Sequence, residues 1–281
     1  MLANKIILRQ VTSLAMCLMS IASYQVSADA QGIAAAEMAR KAQDPLGDVR
    51  AIMSDNTIGL KGGPDDDVAY GFSIQPVYSL PTPGSVNQIL RAVIPLVGVD
   101  PGTVIPRLGD EPRPDDGDTF GLSDTFVQYF VSPKSEGGVK WGIGPQVSLK
   151  TRTSDRQAGA GWGAGAAAVV FGGTGNWSIG AIASQHWGED SFSLFTIQPI
   201  VMYNIESSPG TYVGYNNAIT YDWNADSDNR LTLPLGLIVG RTLLLSNGDG
   251  LDLSIGAYSL VEHPVDGPEA QIKFAISYFF N

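Results

Sequence analysis

The sequence predicts an all-β protein: an antiparallel up-and-down transmembrane β-barrel of about twelve strands, behind a cleaved signal peptide and a short helix. Three observations carry this. First, the segment 270–280 alternates at period two, with Ile272, Phe274, Ile276, Tyr278 and Phe280 on one face and Gln271, Lys273, Ala275 and Ser277 on the other. A strand with one apolar, aromatic-ended face and one small or polar face suits a sheet between hydrocarbon and an enclosed interior. Second, beyond the first thirty residues no apolar run approaches the ~18–20 residues that a spanning helix needs. Third, alternating segments recur along the chain and exceed the ~5–6 residues usual in soluble sheets.

Taken in order, the N-terminus has the parts of a secretory signal. Lys5 and Arg9 supply positive charge, Val11–Ala22 an apolar segment, and Ala28-Asp29-Ala30 a small-x-small cleavage pattern; cleavage after Ala28 is the rival to cleavage after Ala30. Cys17 follows Met16 where a lipoprotein site needs a small residue, and removal of residues 1–30 leaves a chain without cysteine. Residues 31–48 form the next segment, a helix over Ile33–Gln43 stopped by Asp44-Pro45, because proline disfavours helical geometry in its predecessor. It reads as a periplasmic cap or as a plug reaching into the lumen.

The barrel occupies 49–281, with strands at 49–60, 67–80, 86–98, 120–132, 139–150, 161–171, 177–187, 192–205, 211–223, 230–243, 251–262 and 270–280. The second sets Tyr70, Phe72, Ile74 and Tyr78 against Ala69, Ser73, Gln75 and Ser79; the tenth sets Leu231, Leu233, Leu235, Leu237 and Val239 against Thr232, Gly236 and Gly240. The first is the least regular. Compact connections rich in Gly, Pro, Ser and Asn alternate with a second set that includes one long insertion, 99–119. An even strand number places both termini on the periplasmic side. Trp141, Trp177, Trp187, Trp223, Tyr70, Tyr78, Tyr215, Tyr221 and Tyr278 fall mostly near strand ends on the apolar side, where amphipathic rings favour the headgroup level. Phe274, Ile276, Tyr278 and Phe280 make a terminal barrel-assembly signal, with Asn281 standing where such barrels usually end on an aromatic.

The stretches AAEMARKAQDPLGDV, FSIQPVYSLP, DTFGLSDTFVQYFVSP, KWGIGPQVSLKT, NNAITYDWNAD and PEAQIKFAISYFF resemble the meta-pathway phenol-degradation family of bacterial outer-membrane barrels. That family is labelled transporter-like and is related to the long-chain fatty-acid transporter superfamily. The resemblance spans Ala34 to Phe280 and implies a barrel in the passage of small molecules, aromatic ones included. It also implies a Gram-negative outer membrane reached by Sec export. The partners are then outer-membrane lipid and lipopolysaccharide, the barrel-assembly machinery and a small solute.

Alternation sends Gln75, Arg91, Asp124, Gln128, Lys140, Gln146, Lys150, His186, Gln198, Asn216, Asp222, Asp252 and Glu262 to the interior, because a Lys or Arg facing mid-bilayer costs ~2–4 kcal/mol. These groups pair with one another to stiffen a narrow barrel, or line a polar conduction path. Pro76, Pro145, Pro199 and Pro234 cannot donate to the ladder, so each leaves a break that Gln75, Gln146 and Gln198 could satisfy. Such breaks bend the wall to fit its curvature, or open a lateral gate of the kind the resembled superfamily uses.

The formal charge of −11 sits mostly in the presumed outer loops, in Asp65–Asp67, Asp110, Glu111, Asp115, Asp116, Asp118, Glu189, Asp190, Asp226 and Asp228. It disfavours nucleic acid. DDGD at 115–118 lacks the ligand order of a calcium loop, and no metal or cofactor is expected. His186 and His263 lie in no nucleophile motif, so no catalytic residue is assigned. The expected function is a non-enzymatic channel for passive uptake of small molecules, with a non-conducting structural or surface-interaction barrel and a lipid-modifying hydrolase as rivals.

Overall fold

The computed structural model describes residues 28–62, 67–82, 84–99, 119–134, 138–155, 157 and 159–280. The signal segment up to 27 and the acidic residues Asp65, Asp66, Asp110, Glu111, Asp115, Asp116 and Asp118 lie outside them. One helix, α1 (Ala28–Gln43), precedes fourteen strand segments in a single antiparallel sheet. In chain order these are β1 (Arg50–Gly62), β2 (Asp67–Leu80), β3 (Val86–Val99), β4 (Thr119–Leu122), β5 (Thr125–Pro133), β6 (Lys140–Leu149) and β7 (Gly163–Thr174). There follow β8 (Trp177–Trp187), β9 (Ser193–Asn204), β10 (Thr211–Asn216), β11 (Ile219–Asp222), β12 (Leu231–Leu244), β13 (Gly250–Glu262) and β14 (Ala270–Phe280). Segments β4 and β5 share one stave and β10 and β11 another, so the barrel has twelve.

Closure is made by β1 against β14 in unbroken register from Arg50↔Phe280 to Leu60↔Ala270. No edge is left at that seam, which is the condition for a sheet to stand in hydrocarbon. Inside the barrel, the diagonal pair Asp55 and Lys273 joins the same two strands at 3.1 Å.

The outer wall is apolar. Leu235, Leu237 and Val239 on β12 are each more than half exposed, as are Trp141 and Ile143 on β6. In water such a surface would be an aggregation patch; against acyl chains it is the solvated state. Trp141, Trp177, Tyr203, Tyr278 and Phe280 fall at the end of the barrel nearest α1, and Tyr70, Trp162, Trp187, Tyr221 and Trp223 at the far end. Edge-to-face pairs reinforce both belts: Trp177 with Tyr203 at 5.0 Å, and Tyr221 with Trp223 at 4.8 Å.

One departure from strict alternation lies on β1, where Ser54 and Asn56 stand on the outer face. Asn56 is only 4% exposed. The Tyr70 hydroxyl donates to its Oδ1 at 2.8 Å, and its amide donates to the Ser54 hydroxyl and to the Phe274 carbonyl. The polar group is thereby satisfied within the wall.

All four prolines coincide with irregularities. Pairing lapses between Ile74↔Ile94 and Val77↔Arg91 beside Pro76, and between Gln128↔Gln146 and Val131↔Ile143 beside Pro145. Across from Pro199 the stave divides into β10 and β11, and the register shifts next to Pro234. The glutamines do not repair these breaks as expected. Gln75 and Gln198 bond to side chains, Ser73 and Arg91 in one case and Asn216 in the other, and only Gln146 reaches a carbonyl, that of Gln185 at 3.4 Å.

The helix starts five residues before Ile33 and ends at Gln43, as the Asp44-Pro45 stop requires. Alanine dominates it, and Arg40 and Lys41 complement the dipole in its last turn. It lies across one mouth of the barrel, against the ends of β12, β13 and β9. No helix among the described residues is long and apolar enough to cross a membrane.

Gly144 marks the tightest approach in the wall, since a Cβ there would lie 1.6 Å from the Tyr129 carbonyl oxygen. Gly144→Ala should cost about 3 kcal/mol and prevent recovery of the compact, heat-modifiable band after refolding. Gly71→Ala, with no atom within 4 Å of the added methyl, should refold like the parent.

Candidate functional site: an enclosed cavity in the barrel

Behind α1 the chain makes an Asx turn, with the Leu46 N–H donating to Asp44 Oδ1 at 2.9 Å. This turn drives Leu46, fully buried, into a socket formed by Ile89, Phe130, Ala167 and Val169. Lys140 Nζ holds Asp44 Oδ2 at 2.5 Å, and Gln43 and Asn204 exchange side-chain amide bonds. The N-terminal segment is thus cap and plug at once: α1 covers the mouth, and Leu46 enters it.

Above the plug lies a cavity of about 150 Å³. Residues 42–45 and Val49 floor it, apolar side chains such as Phe130, Ile182, Ile200 and Ile238 make most of its wall, and Arg91, Gln198, Asn216 and Asp252 add polar points. Asp252 is held by two hydroxyls: Tyr212 donates to Oδ2 at 2.8 Å and Thr242 to Oδ1 at 2.5 Å. Gln198 donates to Asn216 at 2.6 Å. Arg91 reaches Gln75 through one terminal nitrogen, while its buried Nε makes no hydrogen bond.

Toward the far end a polar chain runs along the inner face of the neighbouring staves β5 to β8. Gln128 donates to Gln146 at 2.9 Å, Gln146 to His186 Nδ1 at 3.2 Å, and Ser148 to the Gly161 carbonyl at 2.8 Å. Ser148 has one proton, and the Gly161 carbonyl takes it. The 2.9 Å contact of Ser148 Oγ with His186 Nε2 therefore has the imidazole as donor. That is the reverse of nucleophile activation, which needs the serine proton to point at the ring. Phe126 and Phe192 pack edge-on against the same imidazole.

Gln75, Arg91, Asp124, Gln128, Gln146, His186, Gln198 and Asp222 face the interior, with Lys140, Asn216 and Asp252 beside them. Two of these are spent on the chain itself. Asp124 accepts from the Gly161 and Arg152 N–H groups and the Arg152 guanidinium, and Asp222 caps a turn through the Asn224 N–H. Lys150 and Glu262 are not interior. Lys150 lies just past the end of β6 and pairs with Glu189 at 2.7 Å, exposed to solvent. Glu262 follows the register shift opposite Pro234, which leaves Val261 and Glu262 both exposed. Sequence reasoning passed over Leu46, Asp55, Lys273, Tyr212 and Thr242; the inward parity of Lys273 was its one available signal. Among the described residues no cluster of three or more His, Cys, Asp or Glu is placed to hold a metal.

Neither a protein-family model nor a curated protein sequence matches the chain. Among solved structures, an outer membrane channel from Pseudomonas putida F1 is similar at TM-score 0.60 and 14% identity, covering 85% of this chain and 98% of that one. Outer membrane phospholipase A from Escherichia coli is similar at TM-score 0.39 and 12% identity, covering 83% and 96%. LpxR from Salmonella typhimurium follows at 0.41 and 8%, covering 82% and 100%. At these identities the likeness is one of fold.

Outside the wall, the Lys150 ammonium hydrogen-bonded to Glu189 holds that carboxyl below its ordinary value. The contribution of the contact is fully present above the ordinary value and is lost as pH falls through the depressed one. In an NMR pH titration, Lys150→Ala should move the Glu189 midpoint upward; an unchanged midpoint would contradict this assignment.

Proposed function

We propose that this chain is a channel in the outer membrane of a Gram-negative bacterium, exported by the Sec pathway, that passes small molecules passively and carries no enzymatic activity. The observation that carries the reading is the cavity itself: a space inside a lipid-facing barrel, floored by a segment held on by a few side-chain contacts. A barrel serving only as a wall or anchor has no need of an internal cavity with a separable floor. Size limits the traffic. A cavity near 150 Å³ lined by apolar groups accommodates a molecule about as large as benzene, so small aromatic and hydrophobic solutes fit the space. This agrees with the family resemblance in the sequence and with the fold shared with the Pseudomonas putida channel. Outer-membrane lipid and lipopolysaccharide would surround the wall, and the terminal strand, with Phe274, Ile276, Tyr278 and Phe280, would be read by the barrel-assembly machinery.

Solute flux into liposomes and conductance in planar bilayers test the reading. The intact protein should admit only small solutes, and both Leu46→Ala and removal of residues 28–47 should raise flux several-fold. Absence of flux and current from all three would favour the non-conducting barrel. Phospholipid hydrolysis that disappears in His186→Ala would favour the hydrolase.

A further inference from the structure

We propose that the cavity is a binding site for small monoanionic amphiphiles, a carboxylate on a short apolar body, with Arg91 as the residue that recognises the charge. This rests on the channel reading and names the class of solute that the cavity would retain.

The argument is one of unfilled capacity. Arg91 lines the cavity from β3, with no carboxylate within ion-pair distance among the described residues. Asp55, the carboxylate that acts on it electrostatically, is already committed to Lys273 at 3.1 Å. A guanidinium presents five N–H donors, and here Gln75 accepts from a terminal nitrogen while Nε stays unsatisfied although fully buried. Nε has no surface open to the cavity, so a ligand would be met by the N–H groups of the terminal nitrogens, and a buried cation without a carboxylate partner is costly until an anionic oxygen reaches it. The acceptors in the same cavity are differently placed. Each Asp252 oxygen already takes a hydroxyl proton, from Tyr212 or Thr242, and Asp44 is occupied by Lys140 and the Leu46 amide. What Arg91 lacks is an anionic partner, and a planar carboxylate fits a guanidinium fork.

The rest of the wall sets the body of the ligand. Ile89, Phe130, Val169, Ile200 and Ile238 offer no hydrogen-bonding groups beyond their backbone, so an apolar tail is favoured there. About 150 Å³ leaves room for four to six carbons, and longer chains would have to displace the Leu46 turn.

Calorimetric titration of the detergent-solubilised full chain with pentanoate and with pentanamide, a neutral compound of the same shape, tests this. Pentanoate should bind roughly tenfold tighter or better, as expected for a charge-assisted contact. Arg91→Met should abolish the preference, and Arg91→Lys should restore part of it. In the parent, decanoate should bind more weakly than pentanoate. Equal affinity for the acid and the amide, or a preference that survives in Arg91→Met, overturns the proposal. Liposome flux of uncharged solutes, measured on the same preparations, separates the two readings. Flux without carboxylate preference removes the ligand assignment and leaves the channel standing, whereas loss of flux in all forms removes the channel.

Discussion

Every peptide group in the wall must find its partner inside the protein, because hydrocarbon offers none. The ladder between β1 and β14 is where that demand is met last, and the rest of the architecture follows from it. Closure requires an even number of staves for an up-and-down chain, so Arg50 and Phe280 end side by side and α1 lies over the mouth they share. It forces alternate residues inward along each strand and encloses a lumen narrow enough for side chains to crowd. One of the proline breaks is stitched by a side chain. Next to the divided stave β10–β11, the Tyr215 hydroxyl donates to the Pro234 carbonyl at 2.7 Å, bridging a stretch where the ladder to β12 lapses between Gly214↔Ile238 and Thr220↔Thr232.

The parts legible in the sequence are those with local causes. The strands expected at 67–80, 177–187 and 270–280 have those bounds in the structure, since turns carrying Gly, Pro or Asn set their ends. The expected stave at 120–132 is interrupted at Ser123-Asp124 for a distant reason: Asp124 turns to serve Arg152 and Gly161. The stave at 211–223 divides because Pro199, on a neighbouring strand, has no N–H to offer opposite it. Site residues divide in the same way. Inward parity found Arg91, Gln128, Gln146 and His186, but parity fails past a bulge, as at Glu262, and says nothing beyond a strand end, as at Lys150. Leu46 lies in a turn whose neighbours Asp44, Pro45 and Gly47 read as an exposed connection, and only the register of the whole barrel puts a socket beneath it.

The interior shows how a narrow lumen is kept from collapsing into a uniform apolar core. The chain from Gln128 to Gly161 assigns each donor in turn, and the direction of its protons is fixed by the single carbonyl at its end. A network with its protons so assigned resists rearrangement, because moving one member strands its neighbour. The cavity near the plug is different in kind. Its wall is mostly apolar and its polar groups are tied in separate sets, Asp252 with Tyr212 and Thr242 and Gln198 with Asn216, with Arg91 Nε left unfilled as Gln128 Oε1 is in the far chain. The far half of the lumen is therefore linked along its wall by hydrogen bonds, and the near half is lined mostly by apolar groups.

On the channel reading, the mouth under α1 would be the place that moves at least cost. Releasing Leu46 exposes one leucine side chain, about 1.5–3 kcal/mol, and the Asp44–Lys140 pair, a third exposed on its lysine side, adds no more than about 1 kcal/mol. Parting two staves costs more, because each ladder hydrogen bond broken in hydrocarbon leaves two groups unsatisfied at several kcal/mol. The same residues link opening to occupancy. Ile89, Phe130 and Val169 form the socket of Leu46 and also the wall of the cavity, so a solute that packs against them competes with the plug for the same surface. A molecule small enough to sit above Leu46 leaves the mouth shut, and a larger one must lift the plug to be held at all. On that reading, selection by size and release from the cavity would be one equilibrium, set by how tightly α1 and the Leu46 turn are held.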